Sequence, residues 1–239
     1  MITEEQENKI TDYLIAQELS LDILVEIRDH MISQISDIQF NENISFEEAF
    51  SKVKESWNGE FKMVNYLLFY PTEIPLIAKK IIQEKYNVLF KKSLMAGVLA
   101  FAVNLLLIFI SGNQKQYDLF FKLLNGSFVL TTILIWILNY KIWKYIKADF
   151  KYKGKSLYTM YQQNLGLMVV CASSMTQVAI RSGHCAYEFF REQNYTDMVG
   201  FLMTLILPFV LQVALVFAVF NFIEHKKNLL KMQEFLEPA

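Results

Sequence analysis

Four apolar stretches beyond Leu89 constrain this chain more than anything else in it: roughly Ser93–Gly112, Leu119–Tyr140, Leu165–Arg181 and Val199–Ile223. A helix needs about 20 mostly apolar residues to cross about 30 Å of hydrocarbon. The first, second and fourth stretches meet that length. The third is shorter and carries Cys171, Ser173, Ser174, Thr176 and Gln177. The chain is 54% hydrophobic, above the usual 45–50% or so of soluble domains, and the excess lies after Leu89. The expected fold is all-α, a small N-terminal cytoplasmic helical domain followed by a four-helix transmembrane bundle. The expected divisions are a head at 1–62, a proline-broken linker helix at 63–90, the four-span domain at 91–228 and a cytoplasmic tail at 229–239.

Lysine and arginine near the span ends set the sidedness, because positive loops stay cytoplasmic. Fourteen fall on one side: Lys79, Lys80, Lys85, Lys91 and Lys92 before the first span, Lys141, Lys144, Lys147, Lys151, Lys153 and Lys155 between the second and third, and Lys226, Lys227 and Lys231 after the fourth. The other side has only four, Lys115, Lys122, Arg181 and Arg191. Both termini are therefore expected in the cytoplasm, with the loops near 113–118 and 182–198 outside. The alternation also supports a crossing by the weak third span. Residues 1–20 are polar and acidic without an apolar run, so no signal peptide is expected. Trp136, Tyr140, Trp143, Tyr145, Tyr158 and Tyr161 read as an interfacial aromatic belt.

The head is acidic. Met1–Lys62 holds 14 acidic and five basic residues, and the remainder reverses the balance with 10 acidic and 18 basic. Thr3–Gln6 and Ser45–Glu48 have the spacing of capping boxes, and Ser20 stands where it can cap the helix between them. Ile10, Tyr13 and Leu14, then Leu24, Ile27, Met31, Ile35 and Ile38, then Phe46, Ala49, Phe50, Val53 and Trp57 form apolar stripes at helical spacing. Asn58-Gly59 fits a helix stop. Phe61–Tyr70 is expected to dock on the head or lie on the membrane, and Pro75 to open a helix that runs on into the first span.

Leu24-Val25-Glu26-Ile27-Arg28-Asp29-His30, followed by Asn43-Ile44-Ser45-Phe46-Glu47-Glu48-Ala49-Phe50, resembles the HAAS-type helical domain. The motif positions are Asp29, His30, Ser45, Glu48 and Ala49. The family's turn glycine is Asn43 here, and its Gly-Asp-Pro is replaced by Trp57-Asn58-Gly59-Glu60. The resemblance covers about the first 60 residues. It implies a bacterial inner-membrane protein of regulatory or signalling type, of the kind found beside PadR-type regulators or prefixed to ABC-type permeases, with a cytoplasmic protein partner for the head. Rival readings are an accessory subunit of a transporter and, least favoured, a membrane enzyme.

No catalytic, cofactor-binding or metal site is expected. His30 is the only histidine of the head, without a second ligand for zinc. His184-Cys185, with Glu188 and Glu192 nearby, reads as part of an ordinary outer loop that can pair between subunits through its thiol, so a homo-oligomer stays open. Asn104, Asn125, Ser127, Thr131, Thr132 and Gln177 are polar groups within spans, read as interhelical hydrogen bonders. No Asp or Glu falls inside a span, which argues against a proton-coupled carrier. The lysines from Lys141 to Lys155 read as holding anionic lipid headgroups, with nucleic acid not expected. A further option is that this basic stripe docks the acidic head. Ser93/Gly97, Ala96/Ala100, Ala172/Thr176 and Ala214/Ala218 permit close helix contact, and Pro208 is expected to kink the fourth span.

Overall fold

The computed structural model describes residues 2–67, 70–140, 151–152 and 154–232. Among the described residues, the fold is all-α apart from one hairpin. The helices are α1 Glu4–Ile15, α2 Leu21–Glu42, α3 Phe46–Trp57, α4 Leu76–Ile110, α5 Gln114–Leu138, α6 Leu165–Ile180, α7 His184–Tyr187 and α8 Met198–Lys231. Strands β1 Met63–Leu67 and β2 Tyr70–Pro75 pair antiparallel. The chain divides into two compact units, one of Met1–Tyr86, Tyr145–Gln162 and His225–Ala239, the other of Asn87–Lys144 and Gln163–Glu224.

In the first unit, both capping boxes form. The Thr3 hydroxyl accepts from Gln6 N–H while the Gln6 side chain accepts from Thr3 N–H, and Ser45 and Glu48 repeat the pattern. These reciprocal bonds satisfy donors that a helix start otherwise leaves open. Asn43 ends α2 in the left-handed conformation, with φ 49° and ψ 46°, a turn that asparagine tolerates. The apolar stripes meet as expected: Ile10, Leu14, Leu24, Ile27, Met31, Ile35, Ala49, Phe50 and Val53 are buried. Tyr13 meets Phe50 edge-on at 5.8 Å, and Trp57 stacks on Phe61 at 5.7 Å.

Three local expectations are corrected. Ser20 stands at the N-cap of α2, but its side chain makes no capping bond; Asp22 Oδ1 accepts from Ile23 N–H at 3.1 Å instead. α3 does stop at Asn58-Gly59, but Asn58 is its C-cap in right-handed geometry and Gly59 is not in the left-handed region. The linker helix expected from residue 63 begins only at Leu76, because Met63–Pro75 is a hairpin. Val64 and Tyr66 are half-buried while Met63 and Asn65 are exposed, the period of two that a strand imposes. A two-stranded ribbon has only edges, which is where prolines such as Pro71 and Pro75 are tolerated.

This unit also reaches beyond residues 1–62. Leu21 N–H donates to Leu157 O at 2.7 Å, and Tyr86 Oη donates to Met160 O at 2.9 Å. The head is thus completed by the stretch before α6 and by the end of α8.

Of the helices, α4, α5 and α8, which build most of the second unit, are each long and apolar enough to cross a membrane. At about 1.5 Å per residue, α4 is about 52 Å long and α8 about 51 Å. The third stretch is as short as expected. α6 alone is 16 residues, and only the bent pair Gln162–Ile180 plus His184–Glu192, angled by 65°, passes as a fourth span. Large apolar side chains such as Leu99, Leu106, Leu123, Leu134, Val170 and Val199 face outward, and Ile108, Phe121, Met175 and Leu215 close the interior. α8 stays one helix through Pro208.

Small residues decide how close α4 approaches α8. A Cβ on Gly97 would lie 2.3 Å from Val213 Cγ2, so only glycine fits there without a shift. Ser93 and Ala100, on the same face one turn either side, are also buried. Of the polar groups within the spans, Asn104 accepts from Tyr117 Oη at 3.1 Å, and Asn125 Oδ1 accepts from Gln212 Nε2 at 3.0 Å. Thr131 and Thr132 donate to carbonyls of their own helix.

Candidate functional site

The expected outer loop at 182–198 is largely helical and folds onto the second unit. Asp118 on α5 is the anchor: its Oδ1 accepts from Gly183 N–H at 2.9 Å, and its Oδ2 pairs with Lys122 at 2.7 Å. A Cβ at Gly183 would come within 2.8 Å of Phe121 Cγ. Glycine therefore lets the chain turn against α5 between α6 and α7. A turn of π-helix, Glu188–Glu192, follows α7. Arg191 donates to Phe109 O in the last turn of α4 at 2.7 Å, and Gln114 donates to Glu188 at 3.0 Å. Ala186 and Tyr187 are buried in the core.

Asp197 caps α8. Its Oδ1 accepts from Gly200 N–H at 2.8 Å, where a carboxylate is favoured by the open donors and dipole of a helix start. Its Oδ2 takes the Cys185 thiol at 3.6 Å. The thiol also lies 3.3 Å from His184 Nε2, and His184 Nδ1 lies 3.0 Å from Ser182 Oγ. Adjacent residues do not share a helical face, yet the His184 ring folds back onto its neighbour. A Cβ on Gly200 would stand 2.2 Å from Asp197 Oδ2 and 2.6 Å from Cys185 Sγ, so this glycine permits the cluster. Cys185 and Cys171 are both free thiols.

Beside this cluster lies a cavity of about 700 Å³ between α5, α6 and α8. Its polar end includes Gln177, Arg181 and His184; Met203, Leu207 and Leu211 line its apolar end. Among the described residues, no group of three His, Cys, Asp or Glu is placed to hold a metal ion.

A second polar focus lies in the head unit, on Asp22. The residue is half-buried, with its carboxylate turned inward. It accepts from Met160 N–H at 3.1 and 3.2 Å and from Asn228 Nδ2 at 3.1 Å. Burial pushes the Asp22 carboxyl above its usual range, opposed by its hydrogen bonds to Asn228, Met160 and Ile23. Nearby in sequence, Thr159 Oγ1 lies 2.7 Å from His225 Nδ1.

The motif positions of the head separate by role. Asp29 and His30 are exposed on α2, with Arg28 3.5 Å from Asp29. Ser45 and Glu48 form the cap of α3, and Ala49 is buried against its neighbours. Hydrogen bonds from Ser45 hold the Glu48 carboxyl below its usual range. Of the basic-loop lysines, Lys151 and Lys155 are exposed, while Lys141, Lys144, Lys147 and Lys153 lie outside the described residues.

Sequence reasoning missed Asp22 and Asp197. Asp197 had a local signal, an N-cap residue type just ahead of an apolar run. Asp22 had none, because its partners lie far away in sequence. No family model matches the chain, and no curated protein or solved structure matches it.

Proposed function

We propose that this is a multi-span protein of the bacterial inner membrane, with both termini in the cytoplasm, and that its head is a regulatory module that engages a cytoplasmic protein. The observation that carries the reading is the Asp22 clasp. One carboxylate of the head holds the backbone of Met160, just ahead of α6, and the side chain of Asn228, near the end of α8. The segment ahead of α6 and the end of α8 are therefore part of the fold of the head, and a head built from segments that lead into apolar helices suits a signalling protein. Two further points support the reading: the lysine asymmetry favours a cytoplasmic head, and the resemblance of 24–50 to HAAS-type domains points to regulation. Anionic lipid headgroups at the lysines from Lys141 to Lys155 are part of the proposal.

The test uses the full-length chain in lipid nanodiscs as bait for cytoplasmic extract, beside the Asp22→Ala variant. A partner whose recovery differs between the two supports the reading. Identical recovery, or none, contradicts it. The cavity favours a second reading, an accessory subunit of a transporter, and recovery of an ATPase with both baits would decide for that alternative.

A further inference from the structure

The cavity of the second unit has two ends of different chemistry. On α8 its wall runs from Gly200 through Met203 and Leu207 to Leu211, about 16 Å along the axis at about 1.5 Å per residue. Apart from Thr204, the α8 wall from Met203 to Leu211 is apolar. The other end is polar and holds the charged residues Arg181 and Asp197. Asp197 is engaged, since it caps α8 and accepts the Cys185 thiol. Arg181 is exposed and forms no ion pair among the described residues. A guanidinium presents a planar fork of donors suited to carboxylate or phosphate. A long apolar slot ending at a free cation selects an amphiphile with a negative head, because a wholly polar ligand would leave the slot unfilled and a cationic one would meet Arg181.

We propose that the cavity between α5, α6 and α8 binds an anionic amphiphile, with a single aliphatic chain along the α8 wall and a carboxylate or phosphate head at Arg181. The site goes beyond the regulatory reading of the head and stands or falls by direct binding. Its ligand can be one chain of an anionic membrane lipid or a free long-chain acid.

Cys185 lines the cavity and serves as the reporter. The full chain carrying Cys171→Ser is placed in nanodiscs of zwitterionic phospholipid, and alkylation of Cys185 by N-ethylmaleimide is timed. Dodecanoate and dodecyl phosphate are expected to slow alkylation saturably, and dodecyltrimethylammonium is expected not to. Arg181→Gln should raise the half-protecting dodecanoate concentration about tenfold, the loss of one charge-assisted hydrogen bond. Met203→Trp, which fills the slot, should abolish any further protection by added amphiphile. Nanodiscs with anionic phospholipid and no free acid separate the sources: protection there assigns the ligand to the bilayer, and protection only by added acid or phosphate assigns it to a free amphiphile. Equal protection by the cationic amphiphile, an unchanged half-protecting concentration in Arg181→Gln, or no protection by any probe overturns the proposal.

Discussion

Asn228 donates its side-chain amide to Asp22 across 206 positions of sequence, at 3.1 Å. The same carboxylate accepts from Met160 N–H. The N-terminal head, the segment ahead of α6 and the last turns of α8 are therefore parts of one compact unit. In a chain read as crossing a membrane, the three segments must then lie on one face. Under the proposed topology the number of crossings from Met160 to Asn228 is even, and the bent α6–α7 pair, which passes as a fourth span by length and composition, is the segment assigned to the outward pass.

Removing the clasp leaves buried donors without an acceptor. Asp22→Ala should cost about 1–3 kcal/mol of head stability. Hydrogen exchange on the full-length protein should report it as lost protection at Leu21, Ile23 and Met160. Unchanged protection at Met160 would mean that the clasp contributes nothing.

Two carboxylates of the head should respond to pH with opposite signs. Burial raises Asp22, so between the ordinary aspartate value of about 3.9 and its higher folded value the native head holds the proton more than the unfolded chain. Its contribution to stability falls as pH rises through that window. Glu48 is lowered by its bonds from Ser45; its contribution is in place above the ordinary glutamate value of about 4.3 and is lost as pH falls through the folded value. Stability measured against pH should therefore lose its downward slope in Asp22→Asn and its acid-side loss in Glu48→Gln. Matching profiles in the variants and the parent would contradict these assignments.

Gly97→Leu forces a side chain into the space of Val213. Overpacking of this kind costs about 1–3 kcal/mol, and Val213→Ala in the same chain should recover part of it. A thermal melt in nanodiscs that ranks the single variant with the parent would contradict the close apposition of α4 and α8 at Gly97.

Gln212→Leu removes the donor to Asn125. Hydrogen bonds within membrane bundles average about 0.6 kcal/mol by double-mutant cycles, so the cycle with Asn125→Leu should return a coupling of that order. A coupling of zero would assign both side chains to packing alone.

Much of this architecture could be read from the sequence because its signals are local. Thr3–Gln6 and Ser45–Glu48 specify helix starts within four residues, Asn43 specifies a left-handed turn, and the apolar stretches follow from composition. The hairpin at Met63–Pro75 is not legible because Phe61–Tyr70 is mostly apolar and aromatic, with only Lys62 and Asn65 to mark a period of two. The Asp22 clasp was not legible, since an acidic residue in a helix's first turn ordinarily needs only the helix itself. His184-Cys185 was visible as an ionisable pair. The cluster it forms depends on Gly200 and on Asp197, which joins it only when α8 begins where it does.

Sidedness tests the account most directly. In a chain with Cys171→Ser and Cys185→Ser, single cysteines introduced as Glu5→Cys, Lys155→Cys, Lys231→Cys and Gln193→Cys are challenged with a membrane-impermeant maleimide on intact cells. The account predicts labelling at position 193 alone, with 5, 155 and 231 labelled only after permeabilisation. Labelling of any of those three from outside, or of 231 on the face opposite to 5, would contradict it.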